Sequence, residues 1–202
     1  LIDNASDRSL VEESDLSWHP NARCWSEEDL GLIHARLRGI REAQTQILVF
    51  VDDDNVLGYS YLENVLSIAE NYSFLGAWGG QIVGEFELSP PVWAKPYLPF
   101  LGIREFDQIK WSNLVNQNET TPYGAGICLR KCVAERYAEL VLTNPKRLQL
   151  GRKGVNLTSG EDSDMAYTSC EIGLGTGLFP SLKLTHLIPE NRLQKSYLLE
   201  LM

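Results

Sequence analysis

The chain has 202 residues, 44% of them hydrophobic, which suits one globular domain with a sizeable core. Its formal net charge of -9 argues against a nucleic-acid partner, because a phosphate backbone needs a basic surface. The four cysteines, Cys24, Cys128, Cys132 and Cys170, form no metal-type pair of pairs and read as free thiols in a reducing compartment. No apolar run is long enough to span a bilayer and no signal peptide is evident, so the expected location is cytoplasmic.

Leu1-Ile2-Asp3 reads as the end of a strand without an initiator methionine, as in a fragment with upstream sequence missing. Asp3 and Ser6 follow in an acid/Asn/Ser turn, which can hold a ligand or simply close an Asx-turn. Residues 8–25 are polar and irregular, with Trp18 and Trp25 as packing anchors. Ser26 and Asp29 form a capping-box-like pair opening a helix whose buried face is Leu30, Ile33, Leu37 and Ile40. Arg36 and Arg38 lie off that stripe. They form a solvated basic face or, for Arg36, a contact aimed at a diphosphate.

Ile47-Leu48-Val49-Phe50-Val51 is apolar throughout and predicts a strand buried on both faces, as in a parallel sheet. Asp52-Asp53-Asp54 follows at its carboxyl end, where open α/β sheets place their ligands. Three adjacent carboxylates repel one another and call for a cation, for which a divalent metal with oxygen ligands is the candidate. The plainer alternative is an acidic turn with Asn55 capping the next helix.

Tyr61 to Asn71 predicts a helix with Leu62, Val65, Leu66 and Ala69 inward, and Phe74 to Val83 a glycine-containing strand. Residues 84–118 carry prolines that oppose regular structure and aromatics that oppose disorder. They predict a folded insertion or long loop laid over the sheet, suited to sugar or lipid recognition or to covering the core. Tyr123 to Leu129 is a glycine-rich approach to a short strand. There Gly124, Ala125 and Gly126 can let a sugar ring approach the backbone, and a helix follows from Arg130 to Thr143.

Arg147 to Leu157 is a basic loop. Ser159 is a candidate N-cap, and Glu161, Asp162 and Asp164 lie in the first turn of the following helix, where acids also serve the helix dipole. Leu174 to Phe179 reads as a glycine-rich bend and Leu182 to Ile188 as a last short strand. His186 interrupts it as a structural histidine or a ligand. Glu190 to Met202 predicts an amphipathic helix with Leu193, Tyr197 and Leu201 on one side.

The segments DNASD, GLIHARLRGI, ILVFVDDDN, GAGICLRK, SGEDSDM and THLIPENRL, in this order, resemble the GT-A glycosyltransferases of family 2 over nearly the whole chain. The resemblance implies an α/β fold: a Rossmann-like mixed sheet with helices on both faces and an acceptor-side insertion at about 84–118, with the N-terminal strand and helix of the family missing from this sequence. It implies an inverting enzyme that moves a sugar from a nucleoside-diphosphate donor to a saccharide or lipid-linked acceptor, as in cell-surface polysaccharide or glycolipid synthesis. It further implies Mg²⁺ or Mn²⁺ as cofactor and work at the inner face of a membrane. By this resemblance Asp3 recognises the nucleobase, and Arg36 sits near base and diphosphate. Asp52 and Asp54 are the outer acids of a DxD motif, with Asp54 nearest the metal, and Asp53 touches ribose or sugar. Gly124 to Gly126 underlie the donor and acceptor, Asp162 (less so Glu161) is the general base, and His186 matches a histidine that in some relatives helps bind the metal or the diphosphate. Arg38 departs from the family, where Asn is frequent.

Two rival readings stand beside it. Asp52-Asp53-Asp54-Asn55-Val56 also satisfies the DxDx(T/V) pattern of haloacid-dehalogenase-type phosphohydrolases, with Asp52 as nucleophile, but a matching Ser/Thr motif and lysine do not follow. A non-catalytic sugar-nucleotide-binding module is the other, and the acids present at both sites oppose it.

Overall fold

A computed structural model describes residues 1–10, 14–152 and 160–201. Ser159 and the 153–157 part of the expected basic loop lie outside the described residues. Strand β1 (Ile2–Asn4) pairs in parallel with β2 (Trp25–Glu27) in a sheet of two. The larger sheet is built from β3 (Ile47–Val49), β4 (Asn55–Leu57), β5 (Leu75–Phe86), β6 (Lys110–Ser112), β7 (Cys128–Arg130) and β8 (Gly175–Ile188). Its order is β3-β7-β5-β8-β4, with β6 also on β8. Only β5 and β8 run parallel, and every other pair is antiparallel.

Helices cover both faces, as the alternation of side chains along β7 requires: Cys128 points to one core and Leu129 to the other. On one face, α1 (Leu32–Glu42), α3 (Lys131–Thr143) and α4 (Glu161–Glu171) pack Ile33, Ile40, Val133, Tyr137 and Met165 against Leu48 and Leu129. On the other, α2 (Tyr61–Asn71) sets Tyr61, Val65 and Ile68 against Trp78, Leu182 and Leu184. Burying a side chain such as Val65 contributes about 1.5–3 kcal/mol. A third cluster joins the insertion to the C-terminal segment through Ala94, Leu101, Ile188, Leu193 and Leu198.

Several expectations are corrected. The strand before the acids is not a buried parallel one. β3 pairs only with β7, antiparallel, among the described residues, and Val51 is exposed. Ser26 is in β2 rather than at a helix start, because its backbone pairs with Asp3. The helix begins after Gly31, whose N–H donates to the Asn4 side chain at 2.8 Å, and Leu30 is left exposed. Its buried stripe is Ile33, Arg36 and Ile40, so Arg36 is a core residue and not part of a solvated face. In α2 the inward face turns by about one position. Tyr61, Val65 and Ile68 are buried, while Leu62 and Leu66 are more than half exposed, because Tyr61 reaches inward to the Gly126 carbonyl. Trp18 is 76% exposed, edge-on to the neighbouring His19, and joins no hydrophobic core cluster among the described residues.

The glycine-rich bend and the last short strand are one strand, β8. Its glycines are needed there: a Cβ at Gly177 would meet Leu75 and Phe179. The C-terminal helix is a 3-10 turn (Glu190–Leu193) followed by the short α5 (Lys195–Glu200). Within residues 84–118, β5 runs on to Phe86, a 3-10 segment (Val92–Leu101) accommodates Pro96 and Pro99, Arg104 is bridged to Ile82, and β6 lies against β8.

Candidate active site

The acidic turn is built by backbone. Asn55 N donates to the Asp52 carbonyl at 3.0 Å, so the chain reverses directly into β4. The β4–β8 register sets Asn55 opposite His186, and Leu187 N donates to the Asp54 carbonyl at 2.8 Å. Strand pairing therefore carries His186 to Asp54, 132 residues away in sequence, with His186 Nε2 3.3 Å from Asp54 Oδ2. Arg192, on the 3-10 turn after β8, places Nη1 2.8 Å from the same oxygen. Asn55 Nδ2 donates to Asp54 Oδ1 at 2.9 Å. His186 and Arg192 hold the Asp54 carboxyl below the usual carboxylate range, outweighing the burial that would raise it. Asp53 is exposed.

Arg36 links this turn to the second acidic cluster. Its side chain is 4% exposed, with Nη1 donating to Glu161 Oε1 at 3.2 Å and Nη2 4.0 Å from Asp52 Oδ1. Burial pushes the Glu161 carboxyl up, against the pull of Arg36 and with a further push from Asp162. Burial also raises Asp52, with Asp54 and Asp53 adding to it and Arg36 opposing. Glu161 and Asp162 open α4, where the helix dipole favours negative charge. Asp162 Oδ2 accepts from Gly124 N at 3.0 Å and Oδ1 from Ser163 N at 2.7 Å. Gly124 is needed, because a Cβ there would overlap Arg36 Nη2. Gly126 adopts φ 73° and its carbonyl accepts from the Tyr61 hydroxyl at 2.7 Å. Asp164, by contrast, pairs with Arg147 at 2.6 Å and fastens the 3-10 segment Pro145–Leu150 to α4.

One open groove of about 1490 Å³ runs past Asp52, Asp53, Asp54, Gly124, Ala125, Glu161, Asp162 and His186. It is larger than a typical single-ligand cleft. Arg36 lines it, whereas Gly126 and Asp3 do not. Asp3, the central residue of β1, is buried, and its Oδ1 accepts from Ser6 N at 3.2 Å and Oδ2 from Leu10 N at 3.0 Å. Hydrogen bonds from Ser6 and Leu10 hold it below the usual carboxylate range. Both oxygens are thus used in shaping the turn, and Asn4 and Ser6 face the groove instead. Two residues given no site role in the sequence reading join the site. Arg152 lines the groove and lowers Asp52 by its charge. Arg192 lay in the expected amphipathic helix from Glu190 and in the segment THLIPENRL without a role of its own; the signal that could have found it was its place a few residues beyond the end of a strand carrying His186.

The donor set fits a divalent cation only with outside help. Among the described residues no three His, Cys, Asp or Glu side chains cluster closely enough to hold a metal. Asp54 Oδ2 and His186 Nε2 do converge on one point, where Arg192 now supplies positive charge. One or two carboxylates completed by substrate phosphate oxygens is how Mg²⁺-type ions are commonly bound.

A family model described as "Glycosyl transferase family 2" matches residues 1–131. No curated protein matches the chain. Among solved structures, that of GalNAc-T7 with UDP, GalNAc and Mn²⁺ superposes with a TM-score of 0.56 at 17% identity, over 92% of this chain and 36% of that one. The likeness is one of fold, of the GT-A type, and this chain spans about a third of that protein.

Proposed function

This chain belongs to glycosyl transferase family 2, and from that premise we propose that its groove binds a nucleoside-diphosphate sugar and passes the sugar, with inversion, to an acceptor hydroxyl. One observation carries the reading. The strand-end acids Asp52–Asp54 and the helix-start acids Glu161–Asp162 line one groove and are tied together by Arg36.

The roles divide by environment. Asp54 and His186, with Asp52 further back beside Arg36, are the residues that would hold Mg²⁺ or Mn²⁺ against the diphosphate; GalNAc-T7, of like fold, was solved with Mn²⁺. When bound, the ion offsets the charge that develops on the departing nucleoside diphosphate. Asp162 takes the proton from the acceptor hydroxyl as its oxygen attacks the anomeric carbon and the bond to the diphosphate breaks. Its two backbone donors, Gly124 and Ser163, fix its direction. Glu161 is held by Arg36 behind it and is the less suited base. Gly124 and Ala125 form the floor on which donor and acceptor meet, and Ser6 is better placed than Asp3 to meet the base, the Asn4 side chain being engaged by Gly31, Glu27 and Asp29.

The acceptor side is the insertion. Pro99, Phe100 and Leu101 border the groove, and Val92 and Trp93 are exposed beside them, an apolar rim suited to a saccharide or lipid-linked acceptor. We assign the chain as one catalytic domain with residues 84–118 as that insertion, working peripherally at a membrane's inner face. No described helix is long and apolar enough to cross a membrane. The phosphohydrolase alternative loses ground, since Asp52, its nucleophile, lies beside Arg36 and belongs to a family 2 sequence.

The test is release of nucleoside diphosphate from a panel of nucleotide-sugars with Mn²⁺, with and without acceptor glycans. Metal-dependent release stimulated by one acceptor is the expected result. Hydrolysis of a generic aryl phosphate without any nucleotide-sugar turnover would reverse the assignment.

A further inference from the structure

The cluster of Asp54, His186 and Arg192 contains one more cation than the proposed site can use. Arg192 Nη1 lies 2.8 Å from Asp54 Oδ2 and 3.0 Å from His186 Nε2. A guanidinium nitrogen only donates and a carboxylate oxygen only accepts, so Nε2 either donates to Asp54 Oδ2, 3.3 Å away, or, in the tautomer with the ring proton on Nδ1, turns its lone pair to Arg192; a metal ion would need that same second tautomer. A carboxylate oxygen and an imidazole lone pair directed at one point are a metal's ligands, and an arginine nitrogen stands at that point.

The protein backbone keeps it there. Arg192 belongs to the 3-10 turn Glu190–Leu193, closed by its own N–H on the Pro189 carbonyl at 3.1 Å. The turn is pinned by buried Leu193 and by Glu190 N donating to Glu87 Oε2 at 3.0 Å. Only the side chain, about one-quarter exposed, is free to swing toward the groove that it lines.

We propose that Arg192 is a tethered competitor for the divalent ion. Its guanidinium neutralises Asp54 and covers His186 while the groove holds no donor. It yields the two ligands when a diphosphate brings both a divalent cation and a better anionic partner. Two cations cannot share that point without a large Coulomb cost. A diphosphate resolves the conflict, because a guanidinium pairs with phosphate oxygens in a bidentate fashion. Ion and donor then bind cooperatively, and the ion binds weakly alone. This rests on the reading of Asp54 and His186 as the metal clamp.

The experiment titrates the whole chain with Mn²⁺ by calorimetry, with and without inorganic pyrophosphate as the diphosphate probe. Arg192→Met should bind Mn²⁺ at least about tenfold more tightly than wild type without pyrophosphate, and the gap should close when pyrophosphate is present. Arg192→Lys keeps a point charge and should stay close to wild type; it also carries the test if circular dichroism shows Arg192→Met unfolded, since Arg192→Lys should then still show pyrophosphate-dependent Mn²⁺ uptake. Equal Mn²⁺ affinity in wild type and Arg192→Met, abolished in both by Asp54→Asn, overturns the competitor while leaving the clamp intact. No Mn²⁺ uptake by any variant, with pyrophosphate present, overturns the clamp as well.

Discussion

Arg36 Nη1 donates to Glu161 Oε1 at 3.2 Å, across 125 residues of chain, with both side chains almost fully buried. The pair joins α1 to the start of α4 and so sets the distance between the two acidic clusters. A buried pair is costly to break because the remaining charge is left unpaired. Arg36→Met should therefore lower unfolding free energy by about 3–5 kcal/mol in urea titration. The double variant Arg36→Met/Glu161→Gln should recover much of that loss while remaining inactive. Equal destabilisation by the single and double variants would show that packing, not the stranded charge, dominates.

The pH dependence carries two signs. Glu161 is raised in the folded state by burial, so its contribution is complete below the free glutamate value of about 4.3 and is lost as pH rises through the raised value. Asp54 is depressed, so its contribution is present above the free aspartate value of about 3.9 and is lost as pH falls through the depressed value. In stability-versus-pH curves, Glu161→Gln should flatten the decline above the free glutamate value. Asp54→Asn should flatten the acid limb. A Glu161→Gln curve parallel to wild type above that value would contradict the burial argument.

Gly126 and Gly124 should respond differently to alanine. Gly126→Ala forces a side chain into φ 73° and toward Tyr61 Oη, at a cost of about 1–3 kcal/mol measured by thermal or urea unfolding. Gly124→Ala meets the guanidinium of Arg36 instead, so by displacing Arg36 from Asp52 and Glu161 it should lower turnover as well as stability. Turnover assays beside unfolding curves distinguish the two. A Gly124→Ala variant with normal turnover would mean that Arg36 does not position the acids.

Asp162→Asn retains an oxygen for one backbone donor but cannot take a proton. It should reduce kcat by about 10²–10⁴-fold while leaving donor affinity, measured by calorimetry, nearly unchanged. Glu161→Gln should lose less in kcat and more in stability. If Asp162→Asn turned over normally, the proton would have to go elsewhere, with Glu161 next in line.

What was legible beforehand was local chemistry at element ends. Asp52–Asp54 after an apolar run, the Gly124–Gly126 floor, Glu161–Asp162 at a helix start and His186 in a strand all lie where short patterns set them, and the bounds of α2 were met in full. Which face a helix buries was less legible. Arg36 looked polar and solvated, yet it is buried because Glu161 and Asp52, both distant in sequence, satisfy it. The position of Ser26 depended on its pairing with Asp3, a long-range contact that overrode a local capping pattern. The glycines of β8 read as a bend because propensity penalises them in strands, while close packing against Leu75 and Phe179 requires them. The role of Arg192 was not assigned, although its segment THLIPENRL was noted, because its partner Asp54 is brought to it by a register, Asn55 against His186, that no short window contains.

The central claim is that Asp54 helps clamp a nucleoside-diphosphate sugar through a divalent ion, and one measurement tests it most directly. It is the thermal melting of wild type and Asp54→Asn with a panel of nucleotide-sugars and Mn²⁺. A ligand that binds only the folded state at about 100 times its Kd adds about 2.7 kcal/mol of stability. One nucleotide-sugar should raise the Tm of wild type only when Mn²⁺ is present, and Asp54→Asn should not respond. A wild-type melting curve that no nucleotide-sugar shifts, or an Asp54→Asn curve that shifts equally, would contradict the account.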